Sequence, residues 1–300
     1  MAWRKLGRLY VPDGSVPWMR THAAVPVAEP LPDGRVRIYL SGRDDQGRSH
    51  TGWILAELGD APRVLEVARE PVLSPGALGA FDDSGAMATW LTGDRDERRL
   101  YYIGWNLGVT VPFRNSIGVA VARGDGPFER HAPGPIVDRT AREPHFTASC
   151  SVLRDGAVWR MWYLSCTGWT IVDGKPRHHY HIKYAESDDG FSWRRDGRVA
   201  IDYADPGEYA ISRPCVLRDG DTWRMWYSCR GDAYRIGYAE SSDGRTWRRR
   251  DADAGIAPSA SGWDAGMIEY PFVFDHGGRR YMLYNGDGFG RSGVGVAVLD

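Results

Sequence analysis

The feature that most constrains the fold is a hairpin segment that recurs along the whole chain. VLRDGAVWRMWYLSC (152–166) and VLRDGDTWRMWYSCR (216–230) each contain two alternating apolar–polar runs joined by an Asp-Gly step, the pattern of a β-hairpin. Weaker copies occupy 30–43, 90–106 and 273–287. The centres of the second strands are about 60 residues apart and fall at Tyr39, Tyr102, Trp162, Trp226 and Leu283. Such a period predicts radial units rather than a β-sandwich.

Further strands follow each hairpin. The third-strand segments are 51–58, 116–123, 181–188, 235–242 and 293–300. The turn sequences SDDGFSW (187–193) and SSDGRTW (241–247), with a reduced version at 123–130, precede a fourth strand. The last unit ends after its third strand, so we expect residues 3–11 to supply the fourth and close the ring. The sequence predicts an all-β fold, a five-bladed β-propeller that forms a single domain over 1–300.

Charge and composition exclude several classes of function. A net charge of −1 argues against a nucleic-acid partner or a membrane surface. There is no apolar run long enough to span a membrane and no signal-peptide pattern at the N-terminus, which predicts a cytoplasmic location. The four cysteines lack CxxC spacing, so free buried thiols are expected. We expect no metal and no cofactor, and we interpret the RHHYH segment (177–181) as a solvated loop.

The candidate site follows from the expected architecture. The innermost strands of a propeller line the central channel, so residues that precede each hairpin are compared. A polar residue lies 10–12 positions before each hairpin turn: His22, Asp82 or Asp83, Glu143, Glu208 and Asp264. Carboxylates that converge on an axis repel, so at least one pKa should rise and give one protonated acid beside one ionised base. The alternative for Asp82, Asp83, Glu208 and Asp264 is turn capping.

A second set of candidates lies deeper in the innermost strands and at the ends of the second strands. Arg213 precedes a proline on an apolar strand, where it would pair with carboxylates or bind an anionic group. Predicted substrate-binding residues are Arg213, Glu269, Arg43, Asn106, His145, Glu208, Asp264, Arg230 and Asn285. Trp18, Trp105 and Trp169 are candidates for stacking on a sugar ring, with core packing as the alternative.

The repeats resemble a known superfamily. The segments 111–122, 211–244 and 262–274, with the SxDGxxW-type turns, resemble the five-bladed propeller glycoside hydrolases, which include arabinanases, β-xylosidases, invertases and levansucrases. The nearer likeness is to bacterial glycosyl hydrolase-like proteins associated with sugar or natural-product gene clusters. The resemblance implies an Asp in the first blade, an Asp in the second and a Glu in a later one. Here His22 replaces the first, Asp83 matches the second and Glu143 matches the third.

Three hypotheses remain open at this point. The first is a glycoside hydrolase-like enzyme with Glu143 as acid, Asp83 as base or nucleophile and His22 orienting the substrate. The second is a lyase, cyclase or isomerase with His22 as the base. The third is a non-catalytic carbohydrate-binding propeller. The expected partner is a small sugar, a glycoside or a nucleotide-sugar-like molecule, in natural-product or polysaccharide biosynthesis.

Overall fold

The protein consists almost entirely of β-strands. The computed structural model describes residues 1–94 and 96–300; Arg95, in the predicted turn of the second hairpin, lies outside the described residues. Strand β1 (Trp3–Tyr10) opens the chain. The next eight strands are β2 (Thr21–Pro30), β3 (Val36–Arg43), β4 (Ser49–Glu57), β5 (Arg63–Val67), β6 (Gly85–Gly93), β7 (Glu97–Leu107), β8 (Phe113–Arg123) and β9 (Glu129–Arg130).

The second half repeats this pattern. Its strands are β10 (Thr147–Asp155), β11 (Val158–Val172), β12 (Lys175–Ser187), β13 (Val199–Ile201), β14 (Ala210–Asp219), β15 (Thr222–Arg230), β16 (Tyr234–Ser241), β17 (Arg248–Arg249), β18 (Glu269–His276), β19 (Arg279–Asn285) and β20 (Val294–Leu299). Two short 3₁₀ helices lie at Pro17–Met19 and Asp251–Asp253. Among the described residues, no helix has the length and apolarity needed to cross a membrane.

The strands pair into antiparallel groups of four, which we call blades 1 to 5. Blade 1 is β2-β3-β4-β5, blade 2 is β6-β7-β8-β9, blade 3 is β10-β11-β12-β13, and blade 4 is β14-β15-β16-β17. Blade 5 is β18-β19-β20-β1, with β1 pairing from Trp3↔Leu299 to Tyr10↔Val294. The innermost strands β2, β6, β10, β14 and β18 contact one another in a closed cycle. The predicted all-β propeller is confirmed, and so is the closing role of the N-terminal strand; a single domain over 1–300 stays a prediction.

The SxDG turns join one blade to the next. In blade 3 the Ser187 hydroxyl accepts a hydrogen bond from the Gly190 N–H at 2.8 Å, and the Gly190 carbonyl accepts one from Tyr101 of blade 2 at 3.0 Å. Blade 4 repeats the contact, because the Gly244 carbonyl accepts from the Trp162 indole of blade 3 at 2.8 Å. Gly190 has a φ of 78°, which a glycine adopts without strain. The repeated turn therefore has a structural function between blades.

Asn285 holds blade 5 against blade 1. Its side-chain oxygen accepts from the Val25 N–H at 2.9 Å, and its amide donates to the Ala23 carbonyl at 2.7 Å and the Gly293 carbonyl at 2.8 Å. Asn285 is fully buried and does not line the axial cavity described below. Asn285 therefore links the last blade to the first by hydrogen bonds and does not lie on the predicted substrate-binding surface.

A buried arginine of blade 4 contacts each of the other four blades. Arg213, on β14 of blade 4, donates to the carbonyl of Pro26 in blade 1 at 2.6 Å and to the carbonyl of Thr89 in blade 2. Its backbone N–H donates to the Ser149 hydroxyl of blade 3 at 2.9 Å, and its guanidinium lies 5.6 Å from the ring centre of Phe272 in blade 5. Among the described residues Arg213 has no carboxylate partner, which corrects that part of the sequence-based expectation.

We predict that Arg213→Met destabilises the fold by about 2–4 kcal/mol, because two buried carbonyls lose their donor. Urea unfolding followed by fluorescence measures this free energy. The matched control is Arg218→Met, which removes a half-exposed ion pair to Asp155 at 2.6 Å and should cost less than about 1 kcal/mol. Equal effects of the two substitutions would contradict a central role for Arg213.

Candidate active site

A cavity of about 510 Å³ lies where the innermost strands begin. Every blade contributes to its wall, through residues that include His22, Trp105, Ser149, Arg213 and Tyr270. This is the convergence of distant segments that the repeat predicted. Arg43, His22, Arg213 and Arg230, all singled out from the sequence, line it together.

Backbone irregularities aim these side chains. Each innermost strand has a shift of pairing register in this region. Val25, Arg213 and Tyr270 have φ values of 53°, 52° and 56°, and each directly precedes a proline. Left-handed backbone is costly for such residues, and strain of this kind concentrates at functional sites. The bulges interrupt the regular alternation of side chains along each strand, so that the residue before each proline faces the cavity.

The charged groups on the cavity wall are cations. Arg43 and Arg230 line the cavity with Arg213, and no Asp or Glu belongs to its described lining. Burial lowers the pKa of Arg213 to about 10, so its guanidinium stays charged at neutral pH. Arg43 lies 5.5 Å from the ring centre of Trp105, and Arg230 lies 5.2 Å from that of Tyr234.

One carboxyl group lies directly behind this wall. Glu269 is fully buried, and neither of its carboxyl oxygens has a hydrogen-bond partner among the described residues. Burial raises its pKa well above the usual range, and the nearby Tyr270 hydroxyl and the charge of Arg230 do not offset this. Burial therefore favours the protonated form of Glu269. The predicted raised carboxyl pKa exists, but burial produces it rather than repulsion between carboxylates.

The two histidines of the cavity are neutral. Burial, with the charges of Arg43 and Arg291, lowers the pKa of His22 to about 4. Burial and the charge of Arg230 lower the pKa of His178 to about 4 as well. The His22 Nδ1 is 2.9 Å from the Thr21 hydroxyl. A neutral imidazole has a free lone pair and is able to accept a proton.

Several buried polar atoms on the wall have no hydrogen-bond partner in the described part of the chain. Buried polar groups in folded proteins are normally hydrogen-bonded, so such a concentration indicates a site for a polar occupant. The atoms are Ser41 Oγ, Ser49 Oγ, Ser212 Oγ, Trp105 Nε1, His178 Nε2 and Arg230 Nε.

The acidic residues at the blade entries do not reach the cavity. In blade 3, Glu143 binds Lys183 at 3.1 Å and Arg195 at 3.0 Å, and accepts from the Tyr163 hydroxyl at 3.0 Å. Although burial would raise the pKa of Glu143, the bonds and charges of Lys183, Ser165 and Arg195 lower it. An acid that is ionised and paired in this way does not match the predicted proton donor.

The same contact recurs in the other blades. Asp82 pairs with Arg130 at 2.8 Å, Glu208 with Arg249 at 2.6 Å, and Asp264 with Lys5 at 2.7 Å. Each basic partner lies on the outermost strand of the same blade. The regular spacing of these acids before the hairpins therefore marks an ion pair within each of blades 2 to 5, and Asp82, Glu208 and Asp264 do not belong to the described lining of the axial cavity.

Three further predicted residues lie outside the cavity lining. Asp83 accepts from the Asn106 amide at 2.6 Å and from the Gly79 N–H at 3.1 Å, which fixes a loop. Its pKa is lowered because the bonds from Asn106, Ser84 and Gly79 outweigh burial. His145 is half-buried beside the cavity residue Phe146. The structure does not bring Asp83, Asn106 and His145 together with His22.

Sequence reasoning missed several residues of the wall. The expected solvated loop at 177–181 is part of β12, and His178 stacks on Tyr180 with ring centres 4.6 Å apart. The Tyr180 hydroxyl is hydrogen-bonded to that of Tyr234. The sequence did contain a signal for this wall: Val25, Arg213 and Tyr270 each precede a proline in an innermost strand. Among the tryptophan candidates Trp105 lines the cavity, whereas Trp18 is buried and donates to the Ala68 carbonyl at 3.0 Å.

Two features concern metal ions and thiols. No cluster of three or more His, Cys, Asp or Glu side chains suited to a metal ion occurs within 1–94 and 96–300. All four cysteines are free thiols, and Cys150, Cys166 and Cys215 are buried. The prediction of free thiols is confirmed.

Comparison with known proteins places the chain in a family. It is 47% identical over 300 residues to the uncharacterized proteins MT1551 and Rv1502 of two Mycobacterium tuberculosis strains, and the match covers 100% of this chain and 100% of each relative. The chain belongs to the family of these mycobacterial proteins. No protein-family model matches it.

Solved structures show the fold class. A glycoside hydrolase matches with a TM-score of 0.75 at 18% identity, over 98% of this chain and 90% of that protein. A glycoside hydrolase described for β-1,2-mannosidic linkages in Candida mannan, from the GH130 family of mannoside phosphorylases, matches with a TM-score of 0.74 at 15% identity, over 100% and 94%. A thermostable family-43 glycoside hydrolase matches with a TM-score of 0.66 at 15% identity, over 96% and 91%. The fold is that of the glycoside hydrolase propellers, as the repeats predicted.

We predict opposite pH dependences of stability for Glu143→Gln and Glu269→Gln. The folded protein lowers the pKa of Glu143, so its contribution is present at neutral pH and is lost as pH falls through the acid range. Glu143→Gln should therefore cost about 2–4 kcal/mol at pH 7, and this difference should shrink towards pH ~4.

The Glu269 carboxyl has a raised pKa, so its contribution is complete at acid pH and is lost as pH rises. Glu269→Gln should therefore flatten the fall in melting temperature of the wild type between about pH 5 and 9. Thermal melts of all three proteins across pH measure both effects. If the melting temperatures of the wild type and of Glu269→Gln fall equally towards alkaline pH, the raised pKa of Glu269 is contradicted.

Proposed function

We propose that the protein cleaves a glycosidic bond of a small sugar-containing molecule held in the axial cavity. The observation that carries this is the fully buried Glu269 carboxyl, which lies beside Tyr270 and forms no salt bridge among the described residues, behind a wall rich in unpaired polar atoms. Bond cleavage in a glycoside requires a proton on the departing oxygen, and an acid that stays protonated at neutral pH supplies it. The glycoside hydrolase propeller fold supports the same reaction class.

Glu269 is the proton donor in this proposal. A proton donor at neutral pH needs a pKa raised well above that of a solvated carboxyl. Tyr270 and Tyr234 line the cavity and lie near Glu269, and the pKa of each phenol is raised by burial first and by the proximity of Glu269 second. Proton transfer to the substrate leaves Glu269 as a carboxylate, and the Tyr270 hydroxyl and the charge of Arg230 are the nearby groups that stabilise it.

His22 is the group that removes a proton from the attacking water. It is the blade 1 residue at the position where the resemblance implies an aspartate, and it lines the cavity with a neutral imidazole. A neutral histidine performs the same proton transfer as a carboxylate base. Trp105 and the other aromatic side chains of the wall provide flat apolar surfaces for a sugar ring.

We predict a bell-shaped dependence of kcat/KM on pH. Activity should rise as pH passes about 4, where His22 loses its proton, and fall at alkaline pH, where Glu269 loses its own. Glu269→Gln should lower kcat by about 10²–10⁴-fold and remove the alkaline limb. His22→Asn, which tolerates the observed φ of 63°, should lower kcat similarly and remove the acid limb.

The measurement uses nitrophenyl glycosides of neutral and acidic sugars, with Glu66→Gln on the exposed face of β5 as the control that retains activity. Asp83→Asn is made in parallel, because the sequence predicts a catalytic role for Asp83. Full activity of Glu269→Gln, together with loss of activity in Asp83→Asn, would reverse the assignment.

A second candidate is a lyase or isomerase reaction in the same cavity, with His22 as the base. The observation that favours it is the lack of any carboxylate on the described cavity wall. Turnover in ¹⁸O-water separates the two reactions, because hydrolysis incorporates solvent oxygen into the sugar product and elimination does not. The cytoplasmic location and a biosynthetic role stay predictions.

A further inference from the structure

The balance of charge on the cavity wall is strongly one-sided. Arg43, Arg213 and Arg230 all line the cavity, and its described lining contains no Asp or Glu. Burial, with neighbouring positive charge, lowers the pKa of His22 and of His178 to about 4. A neutral sugar bound here would leave these cations uncompensated in a partly desolvated space. Uncompensated charge in such a space is costly, and an anion relieves the cost.

The cavity arginines differ from most other arginines of the described chain in having no carboxylate partner. Arg43 donates to the Gly47 carbonyl at 3.1 Å and otherwise lies over the ring of Trp105. Arg230 lies over the rings of Tyr234 and Phe289, at 5.2 and 5.7 Å from their centres. The acids at the entries of blades 2 to 5 are bound by cations of their own blades, and Glu269, whose pKa the charge of Arg230 affects, forms no salt bridge among the described residues.

Arg43 and Arg230 face a common region from different blades. The charges of Arg43 in blade 1 and Arg230 in blade 4 both interact with the phenol of Tyr270 in blade 5. Arg291 adds positive charge near Arg43. Two guanidinium groups with free donor capacity near one hydroxyl form the usual surroundings of a bound phosphate or carboxylate.

From this arrangement we infer that the cavity binds an anionic oxygen group, a phosphate ester or a carboxylate, carried by the sugar, with Arg43 and Arg230 as its ligands and Trp105 or Phe289 under the ring. The inference rests on the proposed sugar site and adds the class of substrate. Free inorganic phosphate has the same chemistry as a phosphate ester, and the experiment distinguishes the two sources.

The test is calorimetric binding in phosphate-free buffer, which does not depend on turnover. The probes are glucose, glucuronate, glucose 1-phosphate and inorganic phosphate. Each anionic saccharide should bind at least about tenfold more tightly than glucose. Arg43→Gln and Arg230→Gln should each weaken anion binding by about 10–100-fold and so reduce the ratio of anion affinity to glucose affinity.

Two further variants control for folding and for charge alone. Arg63→Gln removes an exposed arginine of β5 paired with Glu57 and should bind all probes as the wild type does. Arg43→Lys keeps the charge but loses the fork of donors, so it should retain part of the preference. Thermal melts show that each variant is folded.

Inorganic phosphate that displaces glucose 1-phosphate, with the same loss in both arginine variants, supports a site that also takes the free anion. Retained binding of the sugar phosphate without such competition supports an anion carried by the substrate. Equal affinity for glucose and its anionic derivatives, or a preference unchanged in both arginine variants, overturns the inference. If the protein prefers anions but Glu269→Gln does not affect turnover, only the proposed cleavage mechanism is overturned. If Glu269→Gln abolishes turnover but the protein shows no preference for anions, only the anion site is overturned.

Discussion

The interaction on which this propeller depends most is that of a buried guanidinium at the axis with the strands around it. Among the described residues no carboxylate neutralises its charge. Arg213 links carbonyls of blades 1 and 2 and also contacts blades 3 and 5. It bridges the innermost strands across the axis, beside the cavity that all five blades line. Its positive charge also makes the axis favourable for an anion. The ionised acids at the blade entries do not supply that anion, because they pair with basic side chains of their own blades.

The ionised acids are bound inside the blades. Glu143, Glu208 and Asp264 each pair with a basic side chain on an outer strand or loop of the same blade. This contact links the loop before the innermost strand of a blade to the outer part of the same blade. It explains why an acid recurs at nearly the same distance before the hairpins of these blades. The same periodicity that identified the repeat thus led to residues with a structural function.

The strands and the site differ in how far the sequence determines them. Alternation of apolar side chains, Asp-Gly turns and the recurring SxDG motif are local patterns, so every hairpin and the closing strand were predictable. The cavity depends on bulges at which Val25, Arg213 and Tyr270 adopt positive φ before a proline. The usual preference of such residues is extended, so local rules point away from the observed conformation, and only packing around the ring holds it. Arg43 and Arg230 were found because the ends of second strands meet the channel in any propeller.

The acid–base chemistry of the cavity follows from burial and not from paired carboxylates. Two carboxylates in contact shift each other's pKa by repulsion, and the resulting site carries negative charge. Here burial keeps Glu269 protonated and, with neighbouring arginines, keeps His22 deprotonated. Both groups are then neutral, and the arginines give the site a net positive charge. A cavity with a histidine at this position in blade 1 can therefore hold an anionic group beside a protonated acid without electrostatic conflict, a combination that a pair of ionised aspartates would disfavour.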